Sequence, residues 1–334
     1  MTTLCGVELE HPLMNAAGTC KNLDEVDALA RSAVSAVVIG SITQEARGGN
    51  AGNVYHAGDI FSLNALGLPN PGLDYYRKHL PEMVSLTQAV DKPLIVSIAG
   101  FTGAEYAAVA HDVALAGVDF IELNLACPNV WDGGAQKRIA CFDNGQTEAI
   151  CIQVGEALAT AGAARGNQPP PTFGIKISPF SDPAGLAELA TLVRALAGAP
   201  HGPRFVCAVN TFPNAFALTE ANRPVIDVEL AGLGGAALKP VALGQVRQLR
   251  LMLPETVEII GVGGVTCGRD VLDFLRAGAG AVQAATAFWN RQGDAGVFGD
   301  ILAGYADHIE TDHIETDRPG SSGPPAGRSP AFQD

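Results

Sequence analysis

Short apolar runs alternate with segments of helical period along most of the chain, and no other feature constrains the fold as much. Eight such runs lie at about 12–17, 36–40, 93–99, 120–126, 173–178, 205–210, 258–263 and 281–285. Between them stand amphipathic stretches such as NLDEVDALARSA, GAEYAAVAHDVALAG and GRDVLDFLRAG. Alternating strands and helices build a parallel sheet from βαβ units, and eight units predict a closed α/β architecture, the (β/α)8 TIM barrel. An open doubly wound sheet would carry a Gly-x-Gly-x-x-Gly turn after its first strand, and that turn is absent. Two connections, 41–92 and 211–257, are too long for simple turns; both leave carboxyl ends of strands, so extended loops over the C-terminal mouth are expected. GVGG (261–264) and AATA (284–287) end the seventh and eighth runs, where barrels commonly hold a phosphate, so a phosphorylated ligand is expected.

Composition removes several classes. The net charge of −14 disfavours nucleic acid and anionic lipid, and no basic cluster with interleaved aromatics offsets it. Although 47% of the residues are hydrophobic, charges, glycines or prolines interrupt every apolar run before it reaches membrane-spanning length. The start, MTTLCGVELEHPL, lacks the basic and apolar blocks of a signal peptide, so a cytoplasmic protein is expected. Seven cysteines without a Cys-x-x-Cys pair argue against a disulfide framework and a structural zinc site. After about residue 307 the chain becomes polar and then rich in Pro, Gly and Ser, so residues 1–307 are expected to form one barrel domain and 308–334 a disordered tail.

Polar side chains collect at the expected carboxyl ends of strands: Asn15 and Lys21, Ser41, Asn124 and Cys127, Lys176, Asn210 and Thr211, with Asn64 in the first long excursion. Singly, each asparagine is explained as a loop cap and Cys127 as a small apolar filler. Together they converge on one mouth, where a planar polar ligand would satisfy them. FGIKIS places Lys176 in an apolar strand, so it needs an anionic partner, either a ligand or Glu122 on the neighbouring strand. A thiol such as Cys127 becomes a usable base when cations or dipoles surround it. Lys21 and Lys239, judged singly, read as solvated or structural.

NLACPN (124–129) resembles the Asn-Leu-Ser-Cys-Pro-Asn motif of the dihydroorotate dehydrogenases, in particular their soluble class 1. MNAAG (14–18), SLNALGLPNPGLDYY (62–76), SIAG (97–100), GIKISP (174–179), VNT (209–211), LGGAALKP (233–240), GVGG and VQAATA (282–287) resemble family segments in the family's order, over roughly residues 5–305. The resemblance implies a (β/α)8 flavoprotein that oxidises dihydroorotate to orotate in pyrimidine biosynthesis, with FMN across the mouth. By matching position, Asn64, Gly67, Leu68, Asn124, Asn129, Asn210, Thr211 and Lys21 would bind substrate. Cys127 would take a proton from the ring while the adjacent carbon passes hydride to the flavin, and Lys176 would sit at the flavin's pyrimidine edge. Ala17, Gly18, Lys21, Ser41, Asn124, Lys176 and Val209 would contact the flavin or its chain, with Gly234, Gly263, Gly264, Ala285 and Thr286 at the ribityl and phosphate end. A homodimer using fumarate or another small soluble acceptor is implied.

The chain also departs from the family pattern. Class 1 members carry a lysine at the position of Gly40, whereas here Gly40 and Lys21 form a class 2 combination beside a class 1 cysteine. VWDGGAQKR replaces the usual Pro-Gly-Lys-Pro loop after Asn129, and Ala285 stands where a glycine is usual. Two other readings therefore stay open: a flavoprotein paralogue acting on another cyclic amide or enone, and a flavin-binding protein without catalysis.

Overall fold

The computed structural model describes residues 1–127, 131–132, 135–136, 138–166, 169–228 and 230–316. Eight parallel strands form the central sheet: β1 (Leu13–Asn15), β2 (Val37–Ile42), β3 (Leu94–Ile98), β4 (Phe120–Asn124), β5 (Thr172–Ile177), β6 (Phe205–Ala208), β7 (Glu258–Val262) and β8 (Ala281–Ala284). Their order is β1-β8-β7-β6-β5-β4-β3-β2, which is the expected barrel with one seam between β1 and β2. All eight expected runs are strands. Helices α1 (Leu23–Ala30), α2 (Leu73–Gln88), α3 (Gly103–Leu115), α4 (Asn144–Ala164), α5 (Pro183–Ala197), α6 (Lys239–Met252) and α7 (Gly268–Ala277) follow strands one to seven. Local chemistry starts and stops them: Asn22 and Glu25 make a reciprocal capping box on α1, Asp182 caps α5 ahead of Pro183, and left-handed Gly278 ends α7.

Side chains alternate between two cores. Leu123, Ile175 and Val206 pack outward under the helices, whereas Met14, Val38, Ile95, Phe120, Phe205 and Ile260 fill the barrel interior. An antiparallel hairpin, Thr2–Leu4 with Val7–Leu9, adds Leu4 and Leu9 to that interior cluster.

The seam is closed partly by a side chain. Asn15 is fully buried; its Nδ2 donates to the Val38 carbonyl at 2.7 Å, and its Oδ1 accepts from the Val38 N–H at 2.9 Å. One carboxamide therefore does the work of a ladder pair. Ser35 N donates to Leu13 O, Gly18 N to Gly40 O and Gly40 N to Cys20 O, completing the join.

The long excursions pair with each other. Tyr55–Ala57 and Ser62–Asn64 from the first join Phe212–Ala215 and Ala231–Gly234 from the second in a four-stranded antiparallel sheet, with Asn64 opposite Gly232. Short helix α8 (Thr286–Asn290) follows β8. The last helix, α9 (Gly296–Thr316), continues past residue 307, where composition had placed the end of the folded chain. HIETDHIET contains no glycine or proline to stop it, and the first proline beyond is Pro319. The rest of the expected tail, 317–334, lies outside the described residues.

Replacing Asn15 by alanine would strand a buried N–H and a buried carbonyl of Val38. Asn15→Ala should lower stability by about 2–4 kcal/mol in denaturant unfolding, and an unchanged midpoint would show that the seam closes without the amide.

Candidate active site

The carboxyl ends of the strands open into two adjoining cavities of about 740 and 570 Å³. Ala17, Gly18, Asn64, Leu66, Lys176, Asn210 and Thr211 line both, so the two are compartments of one mouth. The first is completed by Val209, Gly234, Gly235, Gly263, Gly264, Ala285 and Thr286, with Tyr55, Ser62, Gln283 and Trp289. The second is completed by Lys21, Ser41, Gly67, Leu68, Asn124 and Cys127. Of the polar and site residues expected at the mouth, all line one compartment or the other except Asn15, whose amide is spent on Val38 and Thr19 at the seam, and Asn129, which lies outside the described residues.

The amides are held by a hydrogen-bonded chain. Ser97 and Ser41 hydroxyls meet at 2.9 Å, and Asn124 Nδ2 donates to Ser41 Oγ at 2.9 Å. Asn124 Oδ1 accepts from Ala126 N and from Asn210 Nδ2, and Asn210 Oδ1 accepts from Thr211 N at 2.7 Å. Both amide oxygens are thus committed to protein donors, while each NH2 group keeps one hydrogen outside this chain. Asn124 and Asn210 therefore each have an N–H group that this chain of bonds leaves available. A register irregularity in β2 between Ile39 and Ile42 is where Ser41 joins this network.

Lys176 has the partner that its strand demanded. Its Nζ lies 3.5 Å from Glu122 Oε1, and it donates to Gln283 Oε1 at 3.1 Å while also lining both compartments. Burial by itself lowers the pKa of this ammonium; Cys207 and the Glu122 carboxylate outweigh burial and hold it above the ordinary lysine value.

Lys21 lines the second compartment. Its Nζ donates to the Gly40 carbonyl at 2.5 Å, and its backbone carbonyl accepts from the Tyr76 hydroxyl at 2.7 Å. Burial pushes its pKa down to about 8, against the opposing charges of Cys20, Cys127 and Glu25. Gly40, whose carbonyl Lys21 meets, has a φ of +112°, and a Cβ there would lie 2.2 Å from the Ser97 carbonyl oxygen. No side chain fits at position 40 on this backbone. Lys239, by contrast, is structural, bound to Asp270 and Asp273.

Sequence reasoning did not find Gln283, Ser97, Ser62, Tyr55 or Trp289. Gln283 carried a signal, as a polar residue alternating with Ala281 on a buried strand, whereas Trp289 reaches the mouth through α8 and carried none.

Comparison with known proteins gives consistent matches. The family model described as Dihydroorotate dehydrogenase matches residues 1–304. Dihydroorotate dehydrogenase A (fumarate) of Lactococcus lactis subsp. lactis is 32% identical over 291 residues, covering 86% of this chain and 87% of the relative. The catalytic subunit of dihydroorotate dehydrogenase B (NAD(+)) from Methanopyrus kandleri is 35% identical over 303 residues, covering 89% and 86%. Among solved structures, a dihydroorotate dehydrogenase of Eimeria tenella in complex with ferulenol superposes with a TM-score of 0.76 at 19% identity, over 94% of this chain and 85% of that one, a likeness of fold.

Adding a methyl group at Gly40 tests the local geometry. Gly40→Ala should destabilise the protein by about 2–4 kcal/mol through steric overlap and backbone strain; a denaturation midpoint equal to that of the unsubstituted protein would mean that the backbone relaxes freely there.

Proposed function

The chain belongs to the dihydroorotate dehydrogenase family, whose members oxidise dihydroorotate to orotate, and from that premise we propose that it carries out this reaction with FMN in the glycine-lined compartment and Cys127 as the base. The observation that carries the proposal is convergence: a thiol, aimed amide N–H groups, two lysines and a small-residue cradle share one mouth. The cradle suits FMN. Gly234 leaves the space beside the hydroxyls of Ser62 and Thr286, which a Cβ would approach to 2.9 and 3.2 Å. Gly263 and Gly264, at φ +126° and +80°, take backbone shapes that side chains rarely allow. A sugar-phosphate chain fits among glycines and hydroxyls of this kind.

Bound FMN supplies the two-electron acceptor; the chain's own residues position and deprotonate the substrate. Asn64, Asn124, Asn210 and Thr211, with Asn129, hold a planar ring and its carboxylate by hydrogen bonds. Gly67 and Leu68 bound the same compartment. Cys127 Sγ takes the proton from the ring carbon, with the Lys21 and Lys176 ammonium groups on the same compartment supplying the cationic surroundings that a thiol base needs. Lys176, which lines both compartments, would offer its ammonium to the negative charge that the cofactor gains on reduction.

Lys21, which lines the substrate compartment, in this reading stands in for the cation that class 1 relatives carry at position 40. In this reading the electrons leave to fumarate or a similar small acceptor, as the name of the Lactococcus relative indicates for that enzyme. The same reading makes the protein a cytoplasmic homodimer, as the class 1 resemblance implies. No helix among the described residues is long and apolar enough to cross a membrane. The exchange of Gly40 and Lys21 favours a second reading, the same chemistry on another cyclic amide.

Orotate added to the yellow protein should shift the flavin spectrum, and dihydroorotate should bleach it; a spectrum indifferent to both selects the second reading. Cys127→Ala should retain flavin yet slow its reduction by dihydroorotate about 100-fold or more, and equal rates would remove Cys127 from the chemistry. Because Lys21 carries charge below its pKa of about 8, affinity for the orotate carboxylate should fall as pH rises through that value. Lys21→Met should lose this limb of the profile, and an unaltered profile would take Lys21 out of the pocket's electrostatics.

A further inference from the structure

The barrel interior holds more charge than catalysis at the mouth requires. Along β4, Phe120, Glu122 and Asn124 alternate inward, and the register sets Glu122 beside Gly174 and Asn124 beside Lys176 on β5. Glu122 is 0% exposed, and Phe120 and Phe205 of the same interior pack edge to face. Gln283, from β8 and equally buried, joins the charges: its Oε1 accepts from Lys176 Nζ at 3.1 Å and from Cys207 Sγ at 3.3 Å, and its Nε2 donates to Glu122 Oε2 at 3.1 Å. An ammonium can only donate, so Lys176 fixes which way the amide points. Glu122 Oε1 has no hydrogen-bond partner among the described residues, leaving the ammonium 3.5 Å away as its compensation. Such pairs seldom add stability over well-packed apolar side chains. A buried carboxylate in this position calls for a use.

We propose that Glu122 is the positioning residue of Lys176: directly and through the Gln283 amide, it keeps the ammonium charged and held at the mouth in every redox state of the site. The proposal deepens the FMN reading and rests on it. With the counter-charge in place, Lys176 carries its proton before reduction begins, so two electrons reach the cofactor with one proton. Without Glu122 the buried amine releases its proton while the cofactor is oxidised. Reduction then restores that proton, because the reduced cofactor's negative charge supplies the missing partner, and two electrons arrive with two protons. The other titratable groups facing Lys176 are Cys207 from β6, Lys21 and Cys127 across the substrate compartment, and Tyr55 at the cofactor end. Of these, Cys207 also answers to Glu122, whose charge helps to hold its thiol up, and the double variant lacking Lys176 separates its titration from that of the lysine.

The test is the midpoint potential of the bound flavin between about pH 6 and pH 9, measured in the holoprotein and in Glu122→Gln. The slope of potential against pH should double in the variant, and the doubling should vanish in Glu122→Gln/Lys176→Met. Equal slopes in protein and variant would overturn the proposal, as would a doubled slope that persists without the lysine. A second arm needs no flavin. Lys176→Met strands a buried carboxylate and should lower the thermal midpoint of the apoprotein, while the double variant should recover most of that loss. Additive losses would refute the pairing. Should the protein hold no flavin, the FMN reading fails alone and this arm still judges Glu122.

Discussion

A parallel sheet brings its strand ends to one place only if it closes, and here closure depends on a buried carboxamide. The Asn15 side chain pairs with both backbone groups of Val38, at the seam where β1 and β2 lack a regular ladder. With the seam shut, the carboxyl ends of all eight strands face one mouth. Residues more than a hundred positions apart, such as Ser41 and Asn210, then belong to one hydrogen-bonded chain. The seam also places Gly40, whose carbonyl accepts from both Gly18 and Lys21. Barrel closure and the position of the outer cation are thus parts of one local arrangement.

Electrostatics at the mouth runs against the molecule as a whole. The chain carries a net charge of −14, yet two lysines line the compartment that faces Cys127. They are kept there by different means. Cys207 and Glu122 hold the Lys176 pKa up against burial, whereas burial pushes the Lys21 pKa down to about 8. On the proposed function, a preformed cation and an adjustable one would suit a site that meets an anionic cofactor and an anionic substrate in turn.

The barrel was legible from the sequence because hydrophobic periodicity changes between strands and helices at every unit, and all eight runs overlap observed strands. Helix α2 escaped notice, since Pro81 interrupts its pattern inside a connection read only as long. The antiparallel sheet over the mouth was equally hidden: its strands are three or four residues long and pair Asn64 with Gly232, across a separation that no local pattern encodes. The mouth residues were found because amides, a thiol and a lysine are costly at buried strand ends unless something satisfies them. What escaped was mutual orientation, including the commitment of the Asn124 and Asn210 oxygens to protein donors and the Gln283 link between Lys176 and Glu122. Gly40 shows the limit clearly, because its lack of a side chain makes sense only when the Ser97 carbonyl is seen against it.

On the proposed function, a thiol and a set of amides look across a shared cavity at a flavin mononucleotide. Releasing, identifying and counting the cofactor of the purified protein tests it most directly. One FMN for each chain, taken up again by the apoprotein, is the predicted result. A colourless protein that declines FMN would contradict the account.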